Sequence, residues 1–151
     1  MKKLTGFITI LVLAMFLSAC SSGSESTRTF ELEQDGIKTT MVYTTKGDKV
    51  TDQTTENIIQ YDLAGIPSKE EAQELFAPLV EQFQNIDGVT HKLKYEDSKA
   101  IETLAIDYEV ANYEDIKNLP GMSFSEDPKK NGVSMKKSIE ILESQGFTEV
   151  K

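Results

Sequence analysis

The side chains that could carry acid–base or nucleophilic chemistry are few in this chain. His91 is the single histidine and Cys20 the single cysteine among 151 residues, and no Gly-x-Ser-x-Gly nucleophile motif occurs. Val89 and Leu93 flank His91 at a spacing of two, which places its ring on the apolar face of a strand or at the edge of that face. We therefore favour a packed histidine over a catalytic base and expect a protein that is not an enzyme.

Metal ligands are also scarce. A zinc site needs three or four His, Cys or carboxylate ligands, and His91 has no companion. Carboxylates alone suffice for calcium, but the acidic groups lack the spacing of an EF-hand loop. We expect these groups to lie on solvated faces and expect no metal or cofactor. They are Glu31, Glu33, Asp35, Glu114, Asp115, Glu126 and Asp127.

Lysines and tyrosines offer two further sets of candidate binding residues. The one basic cluster comprises Lys129, Lys130, Lys136 and Lys137, for which ordinary solvation is the favoured interpretation. Tyrosines in phase with apolar neighbours are expected in the core. Several of them lining a cleft between the sheet and the segment from Ser125 to Gly132 would instead suit a small hydrophobic or aromatic ligand. The tyrosines are Tyr43, Tyr61, Tyr95, Tyr108 and Tyr113.

The first 19 residues have the features of a cleaved export signal. Lys2 and Lys3 precede an apolar run from Leu4 to Leu17, and small residues follow it. The run is shorter than the roughly 20 apolar residues that span a bilayer comfortably. We therefore expect residues 1–19 to be removed.

Cys20 stands directly after this segment, in the stretch Leu17-Ser18-Ala19-Cys20. The stretch resembles the lipobox of bacterial lipoproteins, in which the cysteine thiol receives a diacylglycerol group and the preceding peptide bond is cut. Cleavage between Ala19 and Cys20 would make acylated Cys20 the mature N-terminus, and two acyl chains hold a protein stably on membrane lipid. An ordinary signal peptide or an uncleaved anchor would leave an exported thiol with no intrachain partner.

Composition predicts one acidic domain. The chain has 25 acidic and 16 basic residues and a formal net charge of −9, which loss of Lys2 and Lys3 lowers by two more units. Such a chain should not bind nucleic acid. The expected organisation is a signal peptide at 1–19, a lipidated N-terminus with a flexible linker at 20–29, and one domain at 30–151.

Alternating apolar and polar residues predict three antiparallel strands after the linker. The alternation begins at Phe30 and is interrupted by Asp35-Gly36, a strong hairpin signal. A second break at residues 46–49 precedes a threonine-rich third strand from Val50 to Tyr61.

A principal helix should follow, with Ser68 as its N-cap and Gly88 after its end. Pro78 removes an amide donor within it and predicts a kink or a break between Glu74 and Ala77. The helix should bury one apolar stripe. That stripe comprises Leu75, Phe76, Leu79, Val80, Phe83 and Ile86.

The remaining chain predicts a hairpin, a loop and a last helix. Strands from Val89 to Tyr95 and from Ala100 to Val110 alternate, with Leu104 inward and Glu102 outward. Residues 113–116 could form one helical turn, and a final helix should begin after Ser134 and stop at Gly146. We therefore expect an α+β fold: a single antiparallel sheet of about five strands, in the order βββαββα, with two main helices packed on one face.

Several stretches, in this order and spacing, resemble the YehR-like family of bacterial lipoproteins. They are the lipobox, residues 43–50, the helix from Ser68 to Leu79, residues 85–89 and residues 146–151. That family comprises small lipoproteins with a domain of unknown function. The resemblance therefore implies the α+β fold and the membrane anchor, and it supplies no catalytic residues.

Together these features predict an extracytoplasmic, lipid-anchored protein that serves as a non-enzymatic binding or accessory module at the cell envelope. An envelope protein partner would bind the exposed sheet face or the segment from Asn112 to Asn131. The alternative is a capture lipoprotein for a small molecule or a divalent cation, with tyrosine and carboxylate ligands. An enzyme, which would need His91 or a carboxylate pair in a cleft, ranks third.

Replacing Cys20 by alanine should release the protein from membranes or leave its signal uncleaved, because no thiol remains to be acylated. Fractionation of cells expressing the wild-type and Cys20→Ala proteins, with mass measurement of each product, tests this prediction. Normal cleavage together with unchanged membrane association would contradict the lipobox assignment.

Overall fold

A six-stranded antiparallel sheet is the main layer of the computed structural model, which describes residues 24–124 and 132–150. The strands are β1 (Glu25–Gln34), β2 (Ile37–Lys46), β3 (Lys49–Gln60), β4 (Val89–Tyr95), β5 (Lys99–Asp107) and β6 (Thr148–Val150). The helices are α1 (Lys69–Gln82), α2 (Tyr113–Ile116) and α3 (Met135–Ser144). The strand order across the sheet is β4-β5-β3-β2-β1-β6.

The predicted α+β fold with a single antiparallel sheet is confirmed, but the sheet has six strands where we expected about five. The additional strand, β6, pairs with residues 29–31 of β1. Three residues are too few for an alternating pattern to be visible in the sequence. A pair of side chains also joins the two strands. Arg28 donates hydrogen bonds of 2.7 and 2.6 Å to the two carboxylate oxygens of Glu149.

The first strand also begins earlier than predicted. β1 starts at Glu25, which pairs with Lys46, so residues 25–29 of the predicted linker belong to the sheet. Their serine and threonine content is typical of a linker, yet the hydroxyls of Ser26 and Thr45 lie 2.8 Å apart across the hairpin. The predicted Asp35-Gly36 turn is confirmed, and both residues have the positive φ angles that such a hairpin turn needs.

The helices and loops cover one face of the sheet. α1 lies against β4 and β5, and Phe83, just after its end, reaches the main core. α3 contributes Met135 and Leu142 to the same core, which also contains Phe30 of β1. The residues of β3 and β5 alternate between buried positions on this face and more exposed positions on the other.

α1 has the predicted cap and most of the predicted stripe. The Ser68 hydroxyl accepts a hydrogen bond from the Glu71 amide. Of the two predicted effects of Pro78, a kink or a break, the break does not occur, because the helix continues through Pro78 to Gln82. Leu75 is 60% exposed, and Ile86 lies beyond the last residue of the helix. Phe76 packs against the smaller apolar cluster, and Leu79, Phe83 and Ile86 lie in or against the main core, so the stripe is confirmed apart from Leu75.

The last elements agree with the local signals in the sequence. The predicted helical turn at residues 113–116 is α2, and Ser134 caps α3 by accepting from the Lys137 amide. Gly146 has a φ of +92°, and the next amide, that of Phe147, bonds to the Leu142 carbonyl. Within residues 24–124 and 132–150, no helix is long and apolar enough to cross a membrane.

Asp48, in the turn between β2 and β3, attaches that turn to the start of α3. Its carboxylate accepts hydrogen bonds from the Ser134 hydroxyl at 2.7 Å and the Lys136 amide at 2.9 Å. These bonds, with the nearby lysines, lower the pKa of Asp48. The carboxylate therefore acts as a second cap on the helix, supplied from 86 residues away.

Replacing Asp48 by alanine should lower the free energy of unfolding by about 1 kcal/mol, the usual value of a helix cap. Because the pKa of Asp48 is lower in the folded than in the unfolded state, its contribution is complete above the ordinary carboxyl pKa of about 4. The contribution is lost as the pH falls through the lower, folded-state pKa. Urea unfolding at pH 7 and pH 3 measures both effects.

Asp62→Ala, which removes an exposed carboxylate from a turn, is the matched control and should change stability by under about 0.5 kcal/mol. Equal effects of the two substitutions at pH 7 would contradict the capping role of Asp48.

Gly88 stands where the chain turns from the end of α1 into β4, with a φ of +74°. A Cβ atom there would lie 2.6 Å from the Ala111 amide nitrogen and 2.8 Å from the Asp107 carbonyl oxygen. Gly47, in the β2–β3 turn, has a similar φ of +65° but open space around the Cβ position. The two positions thus separate conformational strain from steric overlap.

Gly88→Ala should therefore destabilise the domain by about 2–4 kcal/mol, from the left-handed conformation and from overpacking together. Gly47→Ala should cost only about 1 kcal/mol, because strain alone acts there. Chemical denaturation of both variants tests this, and equal losses would show that Gly88 has no steric role.

Candidate functional site

A cavity of about 360 Å³ lies between the covered face of the sheet and the segments that cross it, and we call it the sheet cavity. Its walls are apolar, and its floor, on strands β2, β3 and β5, is polar. The walls include Met41, Leu79, Phe83, Leu104, Met122 and Phe147. The floor consists of Thr39, Gln53, Thr55, Asn57 and Glu102.

The polar floor arises because β3 is polar on both faces. Gln53, Thr55 and Asn57 alternate with Thr54 and Glu56, so no large apolar side chain of this central strand enters the covered side between Gln53 and Asn57. The register of the sheet places Asn57 beside Thr39 of β2 and Glu102 of β5. A buried polar group is costly unless it is hydrogen-bonded, so these neighbours must satisfy one another.

A chain of side-chain hydrogen bonds crosses four strands at this level. The Thr39 hydroxyl donates to Asn57 Oδ1 at 2.7 Å, and Asn57 Nδ2 donates to Glu102 Oε2 at 2.6 Å. The other oxygen of that carboxylate lies 2.7 Å from His91 Nε2. The chain thus runs from β2 through β3 and β5 to the edge strand β4.

A second set of polar contacts lies beside the first. The Tyr108 hydroxyl donates to Gln53 Oε1 at 2.7 Å, and Gln53 Nε2 donates to the Thr55 hydroxyl at 3.1 Å. Burial raises the pKa of Tyr108 well above its ordinary value, so the phenol keeps its proton and remains a donor. Gln53 is thereby held in one orientation at the floor of the cavity.

Glu102 is the principal correction to the sequence analysis. We expected it to face outward, but its side chain is 12% exposed and lies on the covered face. Glu102 stands two residues before Leu104, so the alternation of β5 places both side chains on the covered face. We expected Glu102 to face outward because it is charged. We did not single out Gln53, Thr55 or Asn57, although polar residues at alternate positions of a central strand were the available signal.

His91 is a packed histidine, as predicted. Its side chain is 1% exposed, and its ring stacks on Phe83 with centroids 4.4 Å apart. Within the described part of the chain, Nδ1 has no hydrogen-bond partner, and Nε2 bonds only to Glu102. No serine or threonine hydroxyl of these residues is therefore hydrogen-bonded to the His91 ring.

The tyrosines form two groups and do not line the sheet cavity. Tyr43 and Tyr108 are core residues, as predicted, and burial raises the pKa of Tyr43 to about 12. Tyr113 stacks on Tyr108, whereas Tyr61 and Tyr95 belong to a separate cluster around Ala72 and Ala100. The predicted tyrosine-lined cleft involved the segment 125–132, of which residues 125–131 lie outside the described residues.

The acidic and basic candidates do not converge on a site within residues 24–124 and 132–150. Glu31 pairs with Lys38 at 3.2 Å, and Glu114 pairs with Lys117, both near the surface. Across those residues no three His, Cys, Asp or Glu side chains are arranged to hold a metal ion. Six candidate residues of the sequence analysis lie outside the described residues. They are Ala19, Cys20, Glu126, Asp127, Lys129 and Lys130.

Known proteins resemble this chain over nearly its whole length. The uncharacterized lipoprotein Lin0239 of Listeria innocua is 46% identical over 151 residues, which are 100% of this chain and 97% of the relative. Lmo0207 of Listeria monocytogenes is 44% identical, and YehR of Escherichia coli is 33% identical, each across 99% of this chain and 97% of its own length. Both are also named uncharacterized lipoproteins.

Solved structures agree with the fold. The NMR structure of Escherichia coli YehR superposes with a TM-score of 0.74 at 32% identity, covering 87% of this chain and 94% of that one. The NMR structure of a protein from Streptococcus pneumoniae has a TM-score of 0.56 at 16% identity over 99% of each chain, which supports the fold alone.

A sequence profile described as "Protein of unknown function (DUF1307)" matches residues 26–148. The predicted resemblance to YehR-like lipoproteins is thereby confirmed, and the chain belongs to the DUF1307 family.

Proposed function

We propose that this protein is a membrane-tethered, non-enzymatic capture protein that holds a small molecule in the sheet cavity. The observation that carries the proposal is the cavity itself, with apolar walls over a floor of hydrogen-bonding side chains. Its volume of about 360 Å³ lies within the range of small-molecule sites, which combine mostly apolar lining with a few placed polar groups.

This proposal ranks the capture function above the protein-binding role that we favoured from the sequence. The open face of the sheet carries mainly threonine and charged residues, including Thr54, Glu56 and Lys92, and is not an apolar patch. The cavity floor has a single carboxylate, that of Glu102, whereas calcium takes six to eight oxygen ligands. An uncharged or organic ligand therefore suits the site better than a divalent cation.

The position of His91 supports the non-enzymatic part of this proposal. Its ring is enclosed by Phe83 and Glu102, and it does not line the cavity. A general base must come within hydrogen-bond reach of a substrate proton. A ligand in the cavity would meet amide, hydroxyl and carboxylate groups that hold and orient it.

The tether in the proposal is acylated Cys20 on the extracytoplasmic side of the cell membrane. The lipobox from Leu17 to Cys20 supports it, as do the names of the relatives, which are lipoproteins over the same length. A captured molecule would then be retained at the envelope and would not diffuse away with its carrier.

Native mass spectrometry tests the capture function on the domain from Ser21 onward, exported in its own host without acylation and purified gently. We expect an added small mass on the wild-type domain. Leu79→Trp should abolish the added mass, because Leu79 lines the cavity wall and the larger ring would occupy the space.

Leu75→Trp is the matched control, since Leu75 lies one turn earlier on α1 and is 60% exposed. This variant should keep the added mass. A bare wild-type domain would contradict capture, and crosslinking on intact cells would then search for a protein partner.

A further inference from the structure

The sheet cavity has one ionisable side chain among its described lining residues, and it is an acid. Glu102 presents its carboxylate at the floor, and the remaining described lining residues are apolar or neutral amides and hydroxyls. The charge lies on the covered side of the sheet, where water screens it less than at the surface. The cavity therefore has an acidic end and an apolar body.

The protein supplies this carboxylate with fewer hydrogen bonds than it can accept. Two hydrogen bonds reach it, one on each oxygen, from Asn57 and His91. An ionised carboxylate has about four acceptor positions, so about two remain. Within residues 24–124 and 132–150 its one ion-pair partner is His91, which carries a positive charge only when protonated, and no lysine or arginine lies within 4.0 Å of it.

The walls suit the body of an organic cation. Phe83 lines the cavity, and its ring, which stacks with His91 on one face, adds aromatic surface for the carbon body of a ligand. Met41, Leu79 and Leu104 provide apolar surface for carbon atoms. A carboxylate ligand, by contrast, would bring a second negative charge beside Glu102 into a partly dehydrated space.

We infer that the sheet cavity selects small amphiphilic amines, with the ammonium group on Glu102 and the apolar part against Phe83 and Leu104. This inference rests on the proposed capture function and specifies its ligand class. Glu102 acts as the anchor, Asn57 and His91 hold its carboxylate in place, and the acidic character of the whole chain adds long-range attraction for a cation.

Three probes with one body and different head groups test the selection: 2-phenylethylamine, 2-phenylethanol and phenylacetate. Titration of each into the isotopically labelled wild-type domain, followed by two-dimensional amide NMR, gives the dissociation constants and locates the site. We expect the amine to bind at least about tenfold more tightly than the carboxylate, with shifts on β3 and β5 around Asn57 and Glu102.

Glu102→Gln should weaken amine binding by at least about tenfold and alter alcohol binding by less than about threefold, because it removes the charge and keeps the shape. Glu56→Gln is the matched control. Glu56 is exposed on the opposite face of neighbouring β3, so loss of its charge should leave both affinities unchanged. The amide spectrum of each variant verifies its fold.

Phenylacetate binding as tightly as the amine, or unchanged amine binding by a folded Glu102→Gln variant, would overturn the inference. Absence of binding by all three probes would overturn it as well. The order of affinities on the wild-type domain needs no variant, so the inference remains testable if Glu102→Gln does not fold. A native cargo without an amine would refute the ligand class while leaving the capture function intact.

Discussion

Glu102 carries a carboxylate onto the covered side of the sheet, where an unpaired charge would cost several kcal/mol. Its partners come from two other strands, Asn57 on β3 and His91 on β4. Each pairing is possible only in the observed register, since a slip of one residue would turn either partner to the open face. The carboxylate therefore fixes the alignment of three strands as well as the polarity of the cavity.

The polar side chains that satisfy Glu102 also explain why the apolar core is divided into two clusters. One apolar cluster contains Phe30, Ile106 and Leu142, and the other surrounds Ala72 and Ala100. Between them the inward side chains of β3 are short or polar, so neither cluster can extend across the middle of the sheet. The space that they leave is the cavity, whose floor side chains bond to one another rather than to the helices above.

Those parts of the fold whose signals lie within a few residues could be predicted from the sequence. The Asp35-Gly36 turn, the Ser68 and Ser134 caps and the Gly146 stop act through hydrogen bonds or backbone angles of their own neighbourhood. Contacts between distant segments could not be predicted. β6 is held to β1 by a pair 121 residues apart, and Glu102 is satisfied by a residue 45 positions earlier. A charged residue in phase with a buried strand face lies on that face, and the distant partner that satisfies its charge is not visible in the local sequence.

The early start of β1 limits how far the domain can move once Cys20 is anchored as proposed. Only residues 21–24 separate that cysteine from the first strand, and a fully extended peptide of this length spans about 17 Å. The end of the sheet that holds Glu25, Lys46 and the β2–β3 turn must then remain within about two Debye lengths of the lipid headgroups at physiological salt. The protein would explore a thin layer above the bilayer, and any molecule that it holds would be confined to that layer.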